Sequence, residues 1–312
     1  MRMLRRLTVV ASCLTLFTVL LAWAAGCALG RGALHPQRLA LSPDSIARAD
    51  QDFAAVGALR MDFIVSPIDG VVLRGWKVRP PLANADWVLL FHGVADNRMG
   101  EMSYAQMLLR RGYSVVMMDA RGQGASEGVM VTYGWKERDD TRAVIDELLM
   151  TESPHCLFLL GESMGAAVAL QSAGIEQRID GVVAESSFRN LREVTYDYSG
   201  LHWSPLLGKT LFRPASMAAV PRMEKEGGFR AGDVSPERAV AMRAFPILLI
   251  CDGRDKTIPC RHSEAIYAAA AGPKTLWEVP GADHTGAYGA APLEFERRVI
   301  TFFQEIHKKK SP

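Results

Sequence analysis

Residues 157–170 read Leu-Phe-Leu-Leu-Gly-Glu-Ser-Met-Gly-Ala-Ala-Val-Ala-Leu, an apolar strand pattern that passes directly into a helical one. The junction contains Ser163 between Gly161 and Gly165. A sharp turn from strand to helix strains the backbone at the serine and brings neighbouring chain close on both sides, which explains the two glycines. Such a turn exposes the serine hydroxyl. The motif therefore predicts a nucleophile at the end of a strand.

On both sides of this turn, short apolar runs alternate with amphipathic segments. The predicted strands span residues 61–65, 71–76, 87–91, 113–118, 156–160, 181–184, 247–251 and 275–279. The predicted helices span residues 43–56, 99–110, 137–150, 164–175, 262–271 and 293–307. Continuous apolar strands suit a parallel sheet covered on both faces, and the alternation implies βαβ crossovers. The sequence therefore predicts an α/β fold with three layers and a mostly parallel sheet.

The stretch between Glu185 and Phe245 interrupts this alternation, because it carries prolines and glycines without a clear strand. A structureless connection of about 60 residues is uncommon in a compact domain, so a small inserted cap is expected. The predicted organisation is a leader or anchor over residues 1–30, a lead-in over 31–60 and a main domain over 61–307. The cap occupies about residues 186–245.

The N-terminus combines a basic opening with a long apolar run. Arg2, Arg5 and Arg6 precede a segment from Leu7 to Gly30 that has no charged residue. As a helix it would extend about 36 Å, enough to cross a bilayer core of about 30 Å. We expect an uncleaved anchor or a lipoprotein signal cleaved before Cys27, with an ordinary secretory signal as the third possibility. A buried core helix is disfavoured, since the run lacks a polar face.

The lipoprotein interpretation depends on Ala24-Ala25-Gly26-Cys27, which resembles the bacterial lipobox. With either an anchor or a lipoprotein signal, the basic end stays in the cytoplasm and the body lies across the membrane. The expected location is the bacterial cell envelope, with the main domain outside the cytoplasm and attached to the membrane by its N-terminal segment.

The charge balance and the cysteines exclude several classes of partner. The chain has 36 basic and 34 acidic residues, and three of the basic ones belong to the N-terminal opening. A near-neutral body does not suit the phosphate backbone, so nucleic acid is not expected as a partner. Cys156, Cys251 and Cys260 lack metal-ligand spacing, and no metal or other cofactor is expected. Cys251 and Cys260 could pair, but unpaired thiols are favoured because nothing in the sequence fixes their geometry.

A serine hydroxyl becomes a useful nucleophile only beside a base that an acid orients. Among seven histidines, His284 follows a predicted strand within the turn Val-Pro-Gly-Ala-Asp-His-Thr-Gly, so it is the predicted base. The acid should leave another strand end, and Asp255 is preferred there, with Asp252 as the alternative. His92 is interpreted as structural.

The chain resembles the α/β-hydrolase superfamily, specifically the short-capped serine hydrolases of the Bem46-like and serine aminopeptidase-like (S33) group. The order Ser163, Asp255, His284 is the order of that superfamily. Further matches are Phe-His-Gly at 91–93, Asn-Arg at 97–98, Asp-Ala-Arg-Gly-Gln-Gly-Ala-Ser at 119–126 and Asp-Val-Ser-Pro at 233–236. The likeness covers about residues 60 to 305. Cys-Asp-Gly at 251–253 departs from the usual His-Gly of the family.

The resemblance implies a serine hydrolase that forms an acyl-enzyme on Ser163. The backbone N–H groups of Val94 and Met164 would hold the developing oxyanion. Carboxylic esters of small-molecule substrates are the expected class, followed by thioesters and peptides. A membrane-anchored binding protein that keeps the scaffold without catalysis is the alternative from another class. Asp119 and Arg121 are interpreted as turn-stabilising, and Glu162 is interpreted as the variable residue of the motif.

Overall fold

The computed structural model describes residues 2–198, 210 and 213–311. A single sheet contains the strands β1 (Leu59–Val65), β2 (Leu73–Arg79), β3 (Trp87–Phe91), β4 (Ser114–Met118), β5 (Leu157–Glu162), β6 (Gly181–Glu185), β7 (Ile247–Asp252) and β8 (Lys274–Val279). Their order across the sheet is β1-β2-β4-β3-β5-β6-β7-β8. β2 pairs antiparallel with both β1 and β4, and all other pairs are parallel.

The helices cover both faces of the sheet. They are α1 (Arg2–Leu34), α2 (Pro43–Ala55), α3 (Met102–Arg110), α4 (Glu137–Thr151), α5 (Met164–Ile175), α6 (Leu191–Tyr198), α7 (Arg213–Gly227), α8 (Pro236–Met242), α9 (Arg261–Ala269), α10 (Ala287–Ala290) and α11 (Pro292–Lys310). A short 3₁₀ helix, Arg98–Glu101, precedes α3. One apolar core joins the sheet to α2, α3 and α11, and a second core joins it to α4, α5, α8 and α9. The predicted three-layer α/β fold is confirmed.

The parallel strands are apolar on both faces because both faces are covered. β6 and β7 are buried along their whole length, and so is β5 up to Gly161. The register places Phe91 beside Gly161, Glu162 beside Glu185, and Asp252 beside Val279. The carboxyl ends of β3, β5, β6, β7 and β8 therefore meet at one edge of the sheet, where an open α/β sheet binds its ligands.

The N-terminal helix is continuous from Arg2 to Leu34. Its portion from Arg5 to Leu34 has a mean hydropathy of 2.1 and is long and apolar enough to cross a membrane, by length and composition. Its last turns pack against α7, and Leu34 is buried there among Phe188, Val220 and Met223. The helix passes residue 30, the predicted end of the leader, without a break. The domain bounds stay a prediction.

The chain between β6 and β7 contains α6, α7 and α8, and its described residues include no strand. α8 packs against α5 and α9 in the helical layer of the sheet, whereas α6 and α7 lie beside each other near α1. Residues 199–209 and 211–212 of the predicted cap lie outside the described residues. The helices that could cover the sheet edge are therefore α6 and α7, and the cap bounds stay a prediction.

The expectation of unpaired thiols at Cys251 and Cys260 is wrong. The two form a disulfide, with their Cα atoms 5.3 Å apart. Cys251 lies in β7, and Cys260 directly precedes α9, whose N-terminus returns to the end of that strand. The intervening turn brings the two residues into the distance range of a disulfide, which their spacing in the sequence does not reveal. Cys156 is a buried free thiol.

Candidate active site

Ser163 occupies the tight turn between β5 and α5. Its φ of 51° and ψ of −116° lie outside the regions that residues with a Cβ favour, at a cost of about 1–3 kcal/mol. The neighbouring chain explains both glycines of the motif. A Cβ at Gly165 would overlap the carbonyl oxygen of Phe91, and one at Gly161 would lie 2.6 Å from the carbonyl of Gly165. The turn therefore presents the serine side chain beside the end of β3.

The structure brings Ser163, His284 and Asp255 together. His284 Nδ1 lies 2.6 Å from Asp255 Oδ2, and His284 Nε2 lies 2.9 Å from Ser163 Oγ. Because an ionised carboxylate only accepts hydrogen bonds, Nδ1 is the donor to Asp255. Nε2 is then the acceptor that faces the serine hydroxyl. The arrangement has the geometry by which an imidazole can take the proton of a serine.

Asp255 is fixed from two sides in the turn after β7. Its Oδ1 accepts hydrogen bonds from the backbone N–H groups of Thr257 and Ile258, at 2.7 and 2.8 Å. Its Oδ2 is left for His284. The Asp255 side chain is inaccessible to solvent, whereas that of His284 is 26% exposed. The carboxylate is therefore held in place and the imidazole can still reach a substrate.

Asp252, the alternative acid, contacts other groups. Its Oδ2 accepts hydrogen bonds from Ser186 Oγ at 2.8 Å and from the Gly286 N–H at 3.3 Å. Burial raises the pKa of this carboxyl. Its contacts connect β7, the end of β6 and the turn after His284, so Asp252 is placed to support the histidine turn.

The turn after β3 carries Val94 and is secured by His92. The Nδ1 of His92 lies 2.7 Å from the carbonyl oxygen of Gly93, and its Nε2 accepts the Ala120 N–H at 3.0 Å. Burial lowers the pKa of His92, which favours this neutral donor–acceptor form. The contacts agree with the structural role predicted for His92. Val94 lines the same cavity as Ser163, Met164 and His284.

Asp119 and Arg121 lie in buried ion-pair networks. Asp119 pairs with Arg98 through two side-chain contacts of 3.0 and 2.6 Å and accepts the N–H of Ala125. Arg121 pairs with Asp140 and with Asp69. Neither residue lines the cavity beside Ser163. Their contacts hold the loop after β4, as the turn-stabilising interpretation expects.

The sequence did not predict the roles of three carboxyls near Ser163, of which Glu101 and Glu185 are buried and Glu162 is half-buried. Burial, reinforced by the charge of Asp96, raises the pKa of Glu162 to about 7. Burial, reinforced by Asp252, raises that of Glu185 to about 8. Glu101 is fully buried, which raises its pKa well above the usual range, and its carboxylate oxygens have no hydrogen-bond partner among the described residues.

Tyr104 joins two of these carboxyls. Its hydroxyl lies 2.9 Å from Glu185 Oε2 and 3.3 Å from Glu162 Oε2. Glu185 Oε1 also accepts the N–H of Ala287, two residues beyond the turn of His284. Glu162 and Glu185 are the last residues of the apolar strands β5 and β6. An acidic residue at the end of an apolar strand is the sequence pattern from which their position near Ser163 could have been predicted. Glu162 is thus connected through Tyr104 to the buried Glu185 as well as being a residue of the serine turn.

A cavity of about 1110 Å³ opens at Ser163 and His284. Its wall includes Val94, Asp96, Glu162 and Met164 at the sheet edge, and Leu191, Val194, Ala219 and Met223 from α6 and α7. It also includes residues of α1 and of the chain that follows it, namely Ala25, Ala28, Leu29, Gly30, Gly32, Ala33 and Pro36. The sequence did not predict that the N-terminal helix lines this cavity.

Potential metal ligands gather at one place among the described residues, away from Ser163. The ligand atoms of His155, Cys156 and His307 lie within 4.8 Å of one another. His307 Nδ1 already contacts Asp86 Oδ2 at 2.8 Å. The residues near Ser163 form no such group among those that the structure describes, and the geometry there is that of hydroxyl, imidazole and carboxylate.

The fold and this edge of the sheet define an α/β hydrolase. The sequence model of the family described as "Serine aminopeptidase, S33" matches residues 83–223. The esterase Pf2001 of Pyrococcus furiosus superposes with a TM-score of 0.69 at 22% identity, over 87% of this chain and 99% of the esterase, which is a likeness of fold.

Two relatives extend the match along the sequence. The uncharacterized protein YfhR of Salmonella typhimurium is 31% identical over 246 residues, which are 76% of this chain and 78% of that protein. The uncharacterized protein YqkD of Bacillus subtilis is 28% identical over 254 residues, covering 78% and 79% of the two chains. The chain belongs to the serine aminopeptidase (S33)-like family of the α/β-hydrolase superfamily, and it is a hydrolase of that fold.

Proposed function

We propose that the protein is a serine esterase that cleaves carboxylic esters through an acyl-enzyme on Ser163. The observation that carries the proposal is the position of His284, whose two ring nitrogens lie 2.6 Å from Asp255 and 2.9 Å from Ser163. A surface histidine without a catalytic role is not expected to contact both a buried carboxylate and a strained serine at a sheet edge. This pairing is the one that converts a serine hydroxyl into a nucleophile.

In the first half of the reaction, Ser163 Oγ attacks the carbonyl carbon of the ester while His284 Nε2 takes the hydroxyl proton. The N–H groups of Val94 and Met164 donate to the oxyanion that forms, and each such donor contributes about 10²–10³ to kcat. The tetrahedral intermediate then breaks its bond to the alcohol, which leaves with the proton from His284. The acyl group remains on Ser163.

In the second half, a water molecule gives its proton to His284 and attacks the acyl-enzyme. The carboxylic acid leaves, and Ser163 recovers its proton from the imidazole. Asp255 accepts the Nδ1 hydrogen bond, orients the ring and stabilises the imidazolium that forms twice in each cycle. No cofactor enters these steps, since the proton and the acyl group move between groups that the cavity already brings together.

Replacement of the nucleophile is the direct test. In the full chain purified in detergent, Ser163→Ala is expected to lower kcat for p-nitrophenyl butyrate by about 10⁴-fold or more, because it removes the hydroxyl that lies 2.9 Å from His284 Nε2. A fluorophosphonate probe should label the wild type and leave Ser163→Ala unlabelled. Ser311→Ala, which changes an exposed serine near the C-terminus, is the control and should keep both signals.

If Ser163→Ala hydrolyses the ester at the wild-type rate, the nucleophile assignment is wrong. If the wild type neither turns over esters nor reacts with the probe, the membrane-anchored binding protein without catalysis becomes the better hypothesis. The two results differ, because the first leaves an active enzyme with another nucleophile.

An aminopeptidase is the second candidate, on the basis of the family description and of two acidic side chains in the cavity wall. Asp96 and Glu162 lie with Ser163 around the same space, where a carboxylate could pair with the ammonium group of a peptide N-terminus. Aminoacyl p-nitroanilides separate the candidates. Turnover of these amides would favour the peptidase, and turnover of esters alone would favour the esterase.

A further inference from the structure

The end of the N-terminal helix and the proposed nucleophile share one space. The cavity that contains Ser163 and His284 is also lined by Ala28, Gly32 and Ala33 of α1. Apolar side chains of α6 and α7 also line this cavity. Because a pocket wall decides which substrates fit, this part of α1 belongs to the substrate site as much as to the leader.

This part of α1 packs closely against α7 through small residues. A Cβ at Gly26 would overlap the carbonyl oxygen of Ala215, and a Cβ at Gly30 would lie 2.5 Å from the carbonyl oxygen of Ala219. The four-residue spacing puts the small residues on one face of each helix. Faces of this kind let helices approach closely, as they do within membranes.

The C-terminal end of α1 is also bonded to the main domain. Tyr133 Oη donates to the carbonyl oxygen of Ala33 at 2.7 Å, and the Val131 N–H donates to that of Leu34 at 2.9 Å. His35, just after the helix, lies 2.8 Å from Glu226 of α7. The wall is therefore attached to the fold at several points, and its position beside Ser163 follows from these contacts.

The preceding part of α1 is an exposed apolar rod. Its large hydrophobic side chains from Leu7 to Trp23 are all more than half exposed. Residues 7–24 would extend about 27 Å along the helix, close to the hydrocarbon thickness of a bilayer, which is about 30 Å. Arg5 and Arg6 stand at the far end, as the positive-inside rule expects of an anchor. Ala25, which directly follows this segment, already lines the cavity.

We propose that α1 remains attached as a membrane anchor and that the cavity takes its substrate from the same bilayer, as a long-chain acyl ester. The acyl chain would lie against Ala28, Gly32 and Ala33, and the ester carbonyl would reach Ser163. A chain that moves along α1 from the bilayer into the cavity stays in apolar surroundings, so it avoids the cost of exposure to water. This inference rests on the proposed esterase function and names its substrate class.

Gly32 offers a way to narrow the cavity, because a Cβ there meets no described atom within 4 Å. The full chain in detergent would be assayed with 4-methylumbelliferyl oleate and with the acetate ester of the same alcohol. In Gly32→Phe, the ratio of kcat/KM for oleate to kcat/KM for acetate should fall at least about tenfold, since a ring occupies space that the long chain needs.

Gly289→Phe is the matched control, because Gly289 in α10 is exposed and equally open and does not line the cavity. It should keep the wild-type ratio. An unchanged ratio in Gly32→Phe would overturn the assignment of α1 to the substrate site. If acetate hydrolysis by the wild type does not depend on Ser163, the esterase proposal itself fails, and that outcome is distinguishable because the acetate ester does not need the long-chain wall.

Entry from the bilayer is tested on the wild-type chain, so the result does not depend on whether a variant folds. The protein would be reconstituted in phosphatidylcholine vesicles, with the oleate ester either in the same vesicles or in a second population mixed with them. The initial rate should be at least about tenfold higher when protein and ester share a bilayer, because confinement raises the effective concentration. Equal rates would overturn lateral entry. The acetate ester, which reaches the protein through water, calibrates active protein in both mixtures.

Discussion

The cavity at Ser163 has two walls that are built in different ways. One wall consists of Ser163, Asp255 and His284 at the ends of β5, β7 and β8, and their positions follow from the register of buried strands. The other wall is formed by α1 and α7, which approach each other through small residues, with Glu226 of α7 beside Arg31 of α1 and His35. We call them the sheet wall and the helix wall. Under the proposed function, the sheet wall performs the chemistry and the helix wall determines which substrates fit.

The largest expected effect tests whether the sheet wall acts as a unit. Asp255→Asn should lower kcat/KM for p-nitrophenyl butyrate by about 10⁴-fold, because an amide that donates toward Nδ1 favours the wrong tautomer of His284. Steady-state kinetics on the full chain would measure the change. A substitution in the helix wall should leave the short ester far less affected, which is the difference that the two walls imply.

Asp252→Asn is the matched variant for the same measurement. Asp252 contacts Ser186 and Gly286 instead of His284, so its loss should cost no more than about tenfold in kcat/KM. If Asp252→Asn is the more damaging of the two, the acid that orients the histidine has been assigned to the wrong residue.

A smaller effect is expected on stability, from glycines in each wall whose Cβ would overlap a neighbouring backbone carbonyl. Gly165→Ala should lower the free energy of unfolding by at least about 2 kcal/mol, because its Cβ overlaps the carbonyl oxygen of Phe91 inside the sheet. Gly26→Ala overlaps Ala215 in a similar way, yet it should cost less, since two helices at the cavity edge can separate. Urea unfolding measured by circular dichroism would rank the two variants.

Gly281→Ala is the control for these substitutions, since no described atom lies within 4 Å of its Cβ position. It should change the free energy of unfolding by less than about 0.5 kcal/mol. A loss for Gly165→Ala that is no larger than this control would mean that the serine turn can adjust without strain.

The smallest effect concerns the buried carboxyls behind the sheet wall. The pKa of Glu185, raised to about 8 from its usual 4.5, means that the folded state keeps a proton that the unfolded state releases in this range. The contribution of this proton to the free energy of unfolding is fully present below pH 4.5, and it is lost as the pH rises to about 8. Glu185→Gln cannot ionise, so relative to wild type its Tm should rise by about 2 °C or more between pH 5 and pH 9.

Thermal unfolding at pH 5, 7 and 9 would measure this difference. Glu305→Gln, which changes an exposed side chain on α11, is the control and should show no pH-dependent change relative to wild type. A Tm difference between Glu185→Gln and wild type that stays constant across this range would show that Glu185 is ionised in the folded state.

The sheet wall could be predicted from the sequence because its signals are local. Continuous apolar runs marked the strands, and the residues that follow strands β5, β7 and β8 included Ser163, Asp255 and His284. Parallel strands align their carboxyl ends, so position along the chain was enough to bring distant residues to one edge. His92 was interpreted as structural from its position in the Phe-His-Gly turn at residues 91–93.

The helix wall could not be predicted in this way. An apolar helix shows by its composition that it avoids water, but its composition does not distinguish lipid from a partner helix. The contacts of Gly26 and Gly30 depend on α7, nearly 200 residues later in the chain. Glu162 and Glu185 were missed for a related reason, because their burial depends on Tyr104 and on strand pairing, neither of which is a local pattern.

The disulfide between Cys251 and Cys260 encloses the turn that carries Asp255. A chain matured where thiols stay reduced would leave that turn tethered only by hydrogen bonds. Protein purified with dithiothreitol would then have a less firmly held Asp255 turn than protein with the disulfide intact. Expression in an oxidising compartment is therefore the better route to a homogeneous sample. The orientation of the His284 imidazole thus depends on the oxidation state of Cys251 and Cys260, although neither residue lines the cavity.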